Sequence, residues 1–395
     1  MSNELAERVE QELTGNIIPF WVEHTPDPIN GGFYGSLSND LKVNNDSPRS
    51  AVLYGRILWT FALAFTEYKR PEYLATAHRA YEYIKRHFWD AEHGGVYWSV
   101  DAEGKPLDAR KHTYAQSFCI YGLVEYQRAT GDAEALELAR QIFELLETYS
   151  HDSQYGGYVE GRGSDWVTSA DPRLSKFEPL CDKSMNTLLH VMEAYTNLLR
   201  IWDEPRLRTR LSEMIVIFLD HVIDPQTNHQ LLFFNKDWSW DKTEPFSYGH
   251  DIEASWLIVE AAEVLGDSAL LERARNMAVK LAGTVYNEAL QADGSLLPES
   301  DGHPRSHDLV WWVHAEGMVG FYNAYQISGN EQFRIAAERI WEVIDNKFID
   351  RQHGDWFKTL DPQGIPYPDS PKMGPWECPY HHSRACFEMI RRLSE

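Results

Sequence analysis

The sequence predicts an all-α fold, an (α/α)6 barrel of six helical hairpins with short β-hairpins in the loops, and three observations predict it. Short glycine and aromatic clusters recur along the chain. Two kinds of helical segment alternate between them. The polar residues of the more apolar kind fall in phase from repeat to repeat. At about 150 residues per domain, the 395 residues would divide into two or three domains. A repeat of about 60 to 75 residues divides them instead into one ring, a single domain over residues 1–395.

Along the chain, Leu5 to Val22 is the first amphipathic, outer-type helix. The clusters follow at Gly31-Gly32-Phe33-Tyr34, Gly94-Gly95-Val96-Tyr97 and Gly156-Gly157-Tyr158, and more faintly at His229 to Phe234, Asp293 to Leu297 and His353 to Phe357. Turn residues such as Asp101-Ala102-Glu103-Gly104 and Asp361-Pro362-Gln363-Gly364 come next, so each cluster reads as a strand, a tight turn and a second strand. Outer helices start at Arg70-Pro71-Glu72, Gly131-Asp132-Ala133, Asp203-Glu204-Pro205, Gly266-Asp267-Ser268 and Gly329-Asn330-Glu331, with proline in a first turn or a capping side chain. In the first of these Leu74, Ala77, Tyr81, Ile84 and Phe88 fall three and four apart, leaving one wet face. The segments Leu53 to Tyr68, Tyr114 to Tyr126, Asn186 to Trp202, His250 to Leu265, Val313 to Ile327 and Tyr380 to Ile390 are apolar around most of their circumference and belong inside. An open solenoid would need polar end repeats, which the sequence lacks.

A formal net charge of −23, from 37 Lys plus Arg against 60 Asp plus Glu, argues against nucleic acid or an anionic membrane as partner. No signal-peptide core or apolar run of about 18 residues is present, so a cytoplasmic protein is expected. Cys119, Cys181, Cys378 and Cys386 form no C-x-x-C pair and read as buried thiols. Aromatic residues reach 13% with 14 Trp, a surplus that points to aromatic faces used for binding.

Burying an unpartnered polar group costs about 1 to 3 kcal/mol, so polar residues at the starts of buried helices call for explanation. They are Arg56, Tyr114 with Gln116, Asn186 with His190, His250 with Glu253, Trp312 with Glu316, and His381 with His382. Helices arranged in a ring and running in one sense bring these to one mouth of the bore, which predicts a pocket. A single buried histidine is commonly structural, but several at equivalent positions favour a site. Three residues apart on a helix, Glu253 is placed to orient His250 and hold its protonated form. Arg56 needs a partner, either a carboxylate or a substrate oxygen. Trp311, Trp312 and Trp376 are either packing or sugar-stacking faces. His78, His87 and His221 are assigned no role. The histidines and glutamates could also supply metal ligands, but no H-E-x-x-H pair occurs, and His381 and His382 point different ways on a helix, so no metal is expected.

The stretches Arg56-Ile57-Leu58-Trp59-Thr60-Phe61, His112-Thr113-Tyr114-Ala115-Gln116, Asn186-Thr187-Leu188-Leu189-His190, Gly249-His250-Asp251-Ile252-Glu253, Trp311-Trp312 with Ala315-Glu316, and Trp376-Glu377-Cys378-Pro379-Tyr380-His381 resemble the N-acylglucosamine 2-epimerase superfamily, and within it the cellobiose 2-epimerases. The similarity runs over essentially the whole chain, and the family fold is an (α/α)6 barrel. It implies that His250 and His381 exchange the proton at C2 of the reducing-end sugar and that His190 assists ring opening. It implies further that Arg56 and Asn186 bind substrate oxygens, that Tyr114, Glu253 and Glu316 surround them, and that Trp312 and Trp376 stack on sugar, Trp376 beside the second one. The last motif commonly reads W-K-C-P-Y-H-N in this family. Here Glu377 replaces the lysine and His382 the asparagine.

The implied chemistry suits these residue types. Once the sugar opens, C2 loses its proton to give a cis-enediolate, and reprotonation on the other face inverts the carbon. Imidazoles of pKa near 6.5 serve as base or acid near neutrality, Arg56 can stabilise the oxyanion, and no cofactor is needed. The expected substrate is a neutral mono- or disaccharide, foremost cellobiose, and the expected protein a monomer or homodimer. Rival readings are a monosaccharide mannose 2-epimerase, an aldose–ketose isomerase or an N-acylglucosamine 2-epimerase, an inverting glycosidase using Glu253 and Glu316 as opposed carboxylates, and a non-catalytic sugar-binding module.

Overall fold

A computed structural model describes residues 2–168, 170–240, 244–300 and 305–394 of the chain. Helices α1 (Ser2–Glu12) and α2 (Ile18–His24), joined through Leu13–Ile17, make the first outer element. Inner and outer helices then alternate as α3 (Ala51–Tyr68) and α4 (Pro71–Tyr83), α5 (Thr113–Thr130) and α6 (Ala133–Leu145), and α7 (Met185–Leu199) and α8 (Pro205–Ile217). They continue with α9 (Tyr248–Leu265) and α10 (Ser268–Glu288), α11 (Trp311–Ser328) and α12 (Glu331–Val343), and finally α13 (Tyr380–Ser394). Each inner helix packs on the next, from α3 on α5 through to α11 on α13, and α13 packs back on α3. The ring is closed, which excludes the open solenoid.

Local chemistry sets the helix ends. Asp132 and Asp267 each accept two first-turn N–H groups, and Asn330 one, at the starts of α6, α10 and α12, as their residue types predict. The inner helices α3 and α7 are capped by Ser50 and Ser184. At Gly55 an added Cβ would lie 2.6 Å from the Phe118 carbonyl, and at Gly122 one would lie 2.5 Å from the Gly55 carbonyl. Glycine is therefore required where α3 and α5 cross backbone to backbone.

Two repeating devices were not visible as patterns. Four outer helices end in a π-helical turn, at Ile84–Phe88, Leu146–Ser150, Phe218–Val222 and Ile344–Phe348, and in the first outer element the π turn Leu13–Ile17 lies between α1 and α2. At Ile84–Phe88, Trp89 N–H reaches back to the Ile84 carbonyl at 2.9 Å, widening the turn by one residue while its two ends, Ile84 and Phe88, stay buried. Next, an aspartate closes each hairpin turn: Asp90 Oδ1 accepts from Glu92 and His93 N–H, while its other oxygen takes the buried Lys111 ammonium at 2.8 Å. The same pairing recurs as Asp27 with Arg49, Asp152 with Lys183 and Asp350 with Lys372. Arg49, Lys111 and Lys183 sit on two-residue strands leading into inner helices, each paired antiparallel with the following hairpin. The predicted hairpins appear as Ser99–Val100 against Pro106–Asp108 and, at the glycine and aromatic clusters, as single antiparallel bridges such as Trp89 with Val96 and His151 with Tyr158. The strands of Arg49, Lys111 and Lys183 lie outside that expectation and tie neighbouring repeats at one rim.

Three cysteines are buried as expected, but Cys181 is only half-buried because it lies in the long connection between residues 163 and 183 rather than in a helix. No helix among the described residues is long and apolar enough to cross a membrane.

Candidate active site

The rim carrying the inner-helix N-termini holds a cavity of about 230 Å³ lined by Arg56, Tyr114, Asn186, His190, His250, Glu253, Trp311, Trp312, Trp376 and His381. Every residue to which the resemblance assigns a role is in that lining except Glu316, which lies just beneath it, bonded to His381. A larger cavity, about 910 Å³, opens at the opposite end of the bore. Its five arginines each meet a glutamate, as in Arg200–Glu260 and Arg275–Glu263, and none of the candidate residues reaches it. Two polar residues expected at the mouth point elsewhere. Gln116 holds both main-chain groups of Val96, and His382 turns away from the cavity onto Asp355 at 2.6 Å.

Beneath the cavity floor lies a buried network that sequence reasoning missed, centred on Arg384. Its guanidinium donates at 2.6 Å to both Glu253 and Glu316 and also binds Glu193, which accepts from Tyr380 as well. Glu316 accepts from His381 Nδ1 at 2.7 Å and from the Trp256 indole at 3.0 Å. Glu193 accepts from His190 Nδ1 at 2.9 Å. Since Glu193 and Glu316 are the acceptors, both imidazoles carry their proton on Nδ1 and keep Nε2 as a lone pair. The signal for two of these partners was present: Glu193 is three residues from His190, and Arg384 three from His381, the same spacing that drew attention to Glu253.

The expected His250–Glu253 pair does not form. His250 Nδ1 meets Ser247 Oγ at 2.7 Å, while the Glu253 carboxyl turns to Arg384, 3.9 Å from His381. Arg384 offers the Glu253 carboxyl a charged N–H donor at 2.6 Å, which the neutral His250 ring does not. Nor do the imidazoles sit near their usual pKa. Burial is the main cause in each: it takes His250 down to about 3 and His190 to about 4. For His381 the guanidiniums of Arg56 and Arg384 add to burial and hold it well below the ordinary value. All three are neutral at pH 7, and no carboxylate keeps His250 protonated.

Burial, reinforced by repulsion from Glu316, raises Glu253 to about 8, whereas the Arg384 charge and hydrogen bonds keep Glu193 ionised at about 2 despite its burial. Glu253 and Glu316 share one guanidinium on one side of the cavity, so they are not the opposed carboxylates of an inverting glycosidase. With His381 they form the one metal-like cluster among the described residues. Arg384 already places a cation between these carboxylates, so the donor set does not suit a divalent ion.

Arg56 resolves the question left open by its sequence. Among the described residues it has no carboxylate partner; its Nη2 donates to Tyr114 OH at 2.9 Å, and its charge rests over the Phe118 and Tyr380 rings at 4.2 and 4.9 Å. The buried atoms Arg56 Nε, Asn186 Oδ1 and Trp311 Nε1 have no hydrogen-bond partner among the described residues. Trp312 touches both His250 and His381, with ring centroids 4.8 and 5.5 Å apart. Trp376 closes another side, edge-on to Tyr114.

The segment after Gly163 supplies a roof with no counterpart among the described residues of the other repeats: Leu174, Ser175 and Glu178 line the cavity. Arg110 holds the carbonyls of Asp171 and Arg173, and His112 that of Pro172. Lacking a repeat partner, this segment gave no phase signal.

The model of the N-acylglucosamine 2-epimerase family matches residues 32–385. The chain belongs to that family. It is 42% identical to the cellobiose 2-epimerase of Bacteroides fragilis over 99% of this chain and 100% of that one, and 41% identical to the cellobiose 2-epimerase of Ruminococcus albus over 97% and 98%. The solved cellobiose 2-epimerase of Bacillus thermoamylovorans superposes with a TM-score of 0.93 at 38% identity, covering 99% of this chain and 100% of that one. Membership of the N-acylglucosamine 2-epimerase family makes the chain a carbohydrate epimerase, and the helical barrel is shared with these relatives.

Proposed function

We propose that this chain is a cytoplasmic, cofactor-independent 2-epimerase of cellobiose that converts the reducing-end glucose to mannose, and that the whole chain forms one catalytic domain, alone or as a homodimer. The observation that carries the reading is a pair of neutral imidazoles, His250 and His381, both against Trp312 in one cavity beside a guanidinium with no carboxylate partner. Full-length similarity to cellobiose 2-epimerases supports the choice of sugar.

In this reading His190 helps open the ring, acting through its free Nε2 while Glu193 holds Nδ1. One of the pair, His250 or His381, then removes the C2 proton. Charge moves to O1 of the cis-enediolate, where Arg56 opposes it, with Asn186 and Tyr114 fixing the neighbouring hydroxyls. The enediolate charge draws a solvent proton onto the other imidazole, which delivers it to the opposite face of C2, and the first imidazolium releases the abstracted proton to solvent. The lowered pKa keeps each lone pair available at neutral pH, while making it a weaker base, and makes the imidazolium a strong acid for the return step. Trp312 and Trp376 face the sugar rings.

Incubation with cellobiose, glucose, mannose and N-acetylglucosamine in D₂O, followed by NMR, tests the proposal. Glucosyl-mannose carrying deuterium at C2 is expected from cellobiose. Ketose would make it an isomerase, cleavage a glycosidase, and an unchanged sugar in every tube would defeat the reading.

A further inference from the structure

Glu377 stands next to Trp376 on the connection into α13, at the position where the family commonly has lysine. The backbone turns tightly here, with Gly374 N–H donating to the Glu377 carbonyl at 3.0 Å. The Glu377 side chain does not reach into solvent. Its carboxylate folds back to accept hydrogen bonds from its own N–H and that of Trp376. It lies so close over Gly374 that a Cβ on that glycine would stand 2.3 Å from Glu377 Oε2. It makes no side-chain ion pair among the described residues and has Lys358 and Arg56 as the nearby charges. Among the described residues Trp376 is otherwise held by ring contacts, to Trp98 at 6.1 Å and Tyr114 at 5.7 Å. A lysine has no acceptor atom, so it cannot close the turn in this way.

We infer that Glu377 is a positioning residue that clamps the Trp376 turn and so sets how tightly this chain holds the outer sugar of a disaccharide. The inference rests on the reading above in which Trp376 faces that sugar. Because the clamp acts on the outer sugar alone, it should leave the reacting ring untouched. Removing a charged hydrogen bond that orders a stacking side chain corresponds to roughly a tenfold loss of affinity.

The test compares wild type, Glu377→Ala, Glu377→Gln and Gly374→Ala. The last keeps the carboxylate but displaces it by contact, and the glycine needs no left-handed backbone. For cellobiose, KM should rise about tenfold in Glu377→Ala and several-fold in Gly374→Ala, with kcat within about twofold. Glu377→Gln, which keeps one acceptor oxygen, should recover most of the loss. Monosaccharide kcat/KM should not move. Equal losses on monosaccharide and cellobiose, or unchanged KM in Glu377→Ala, would overturn the clamp. Calorimetric affinities for cellobiose and glucose separate the two proposals. If wild type epimerises neither sugar, the functional reading fails; a cellobiose-to-glucose affinity ratio that falls in Glu377→Ala still supports the clamp, and an unchanged ratio overturns it.

Discussion

Glu316 on α11 and His381 on α13 meet at 2.7 Å across the seam between two inner helices, and Arg384, one turn further along α13, binds the same carboxylate oxygen at 2.6 Å. One carboxylate thus fixes the tautomer of an imidazole while its own charge is balanced from the helix that carries that imidazole.

The two proposed proton carriers are expected to be individually indispensable. His250→Ala and His381→Ala should each lower epimerisation by at least about 10²-fold while circular dichroism and melting temperature stay close to wild type, since each ring faces the cavity. C2 deuterium incorporation in D₂O measures the effect. Near-normal turnover in either variant would remove that residue from the pair.

Replacing Arg56 separates chemistry from folding. Arg56→Met should lower kcat by about 10²- to 10³-fold through loss of the charge facing the enediolate. Stability should hold or rise by about 1 kcal/mol, because a buried guanidinium without a carboxylate contributes nothing that methionine packing cannot supply. Urea melts run beside the kinetics check both halves.

Arg384→Met should behave in the opposite way. It leaves Glu193, Glu253 and Glu316 crowded without their shared cation, and a loss of about 3 to 5 kcal/mol is expected. At a temperature where the variant is still folded, the acid limb of its pH–rate profile should move upward, because His381 loses one of the two guanidiniums that hold its pKa down. An unmoved profile in a folded variant would show that Arg384 acts only on stability.

The pH dependence follows from buried, neutral histidines. A base whose pKa lies near 4 rather than 6.5 keeps its lone pair further into acid, so kcat/KM should stay level down to about pH 5 and fall as the pH drops through about 4. Stability carries the matching sign. The unfolded chain binds protons at histidine from about pH 6.5 downward and the folded chain does not, so the contribution of His190 and His250 is complete above about 6.5 and erodes between that value and 4 to 3. A half-loss of kcat/KM near pH 6.5 in a chain still fully folded would contradict this.

Most of the fold was legible because a closed ring repeats itself. The inner helices α3, α5, α7, α9, α11 and α13 begin within two residues of the predicted starts or of the polar residues that mark them. What escaped was of another kind. A π-helical turn at Ile84–Phe88 leaves Ile84 and Phe88 at a spacing that an ordinary amphipathic stripe also contains. The Asp90–Lys111 pair joins residues far apart in sequence with no periodic relation. In the site, the cavity lining followed from repeat phase, but partner choice did not. Whether Glu253 turns to His250 or to Arg384 depends on how much charge has gathered on the floor of the bore, which a single helix does not reveal. The roof residues Leu174, Ser175 and Glu178 come from a segment outside the repeat.

Helix α13 closes the ring by packing on both α3 and α11, and it is also the helix that brings His381 to Glu316 and to the aromatic setting of Arg56. Assembly of the barrel and assembly of the reactive centre are therefore one event. A chain still lacking its last inner helix has neither the second imidazole nor the guanidinium that balances the floor. If the proposed roles of His250 and His381 hold, partly folded forms should be silent toward sugars, and activity should report that the circle has closed.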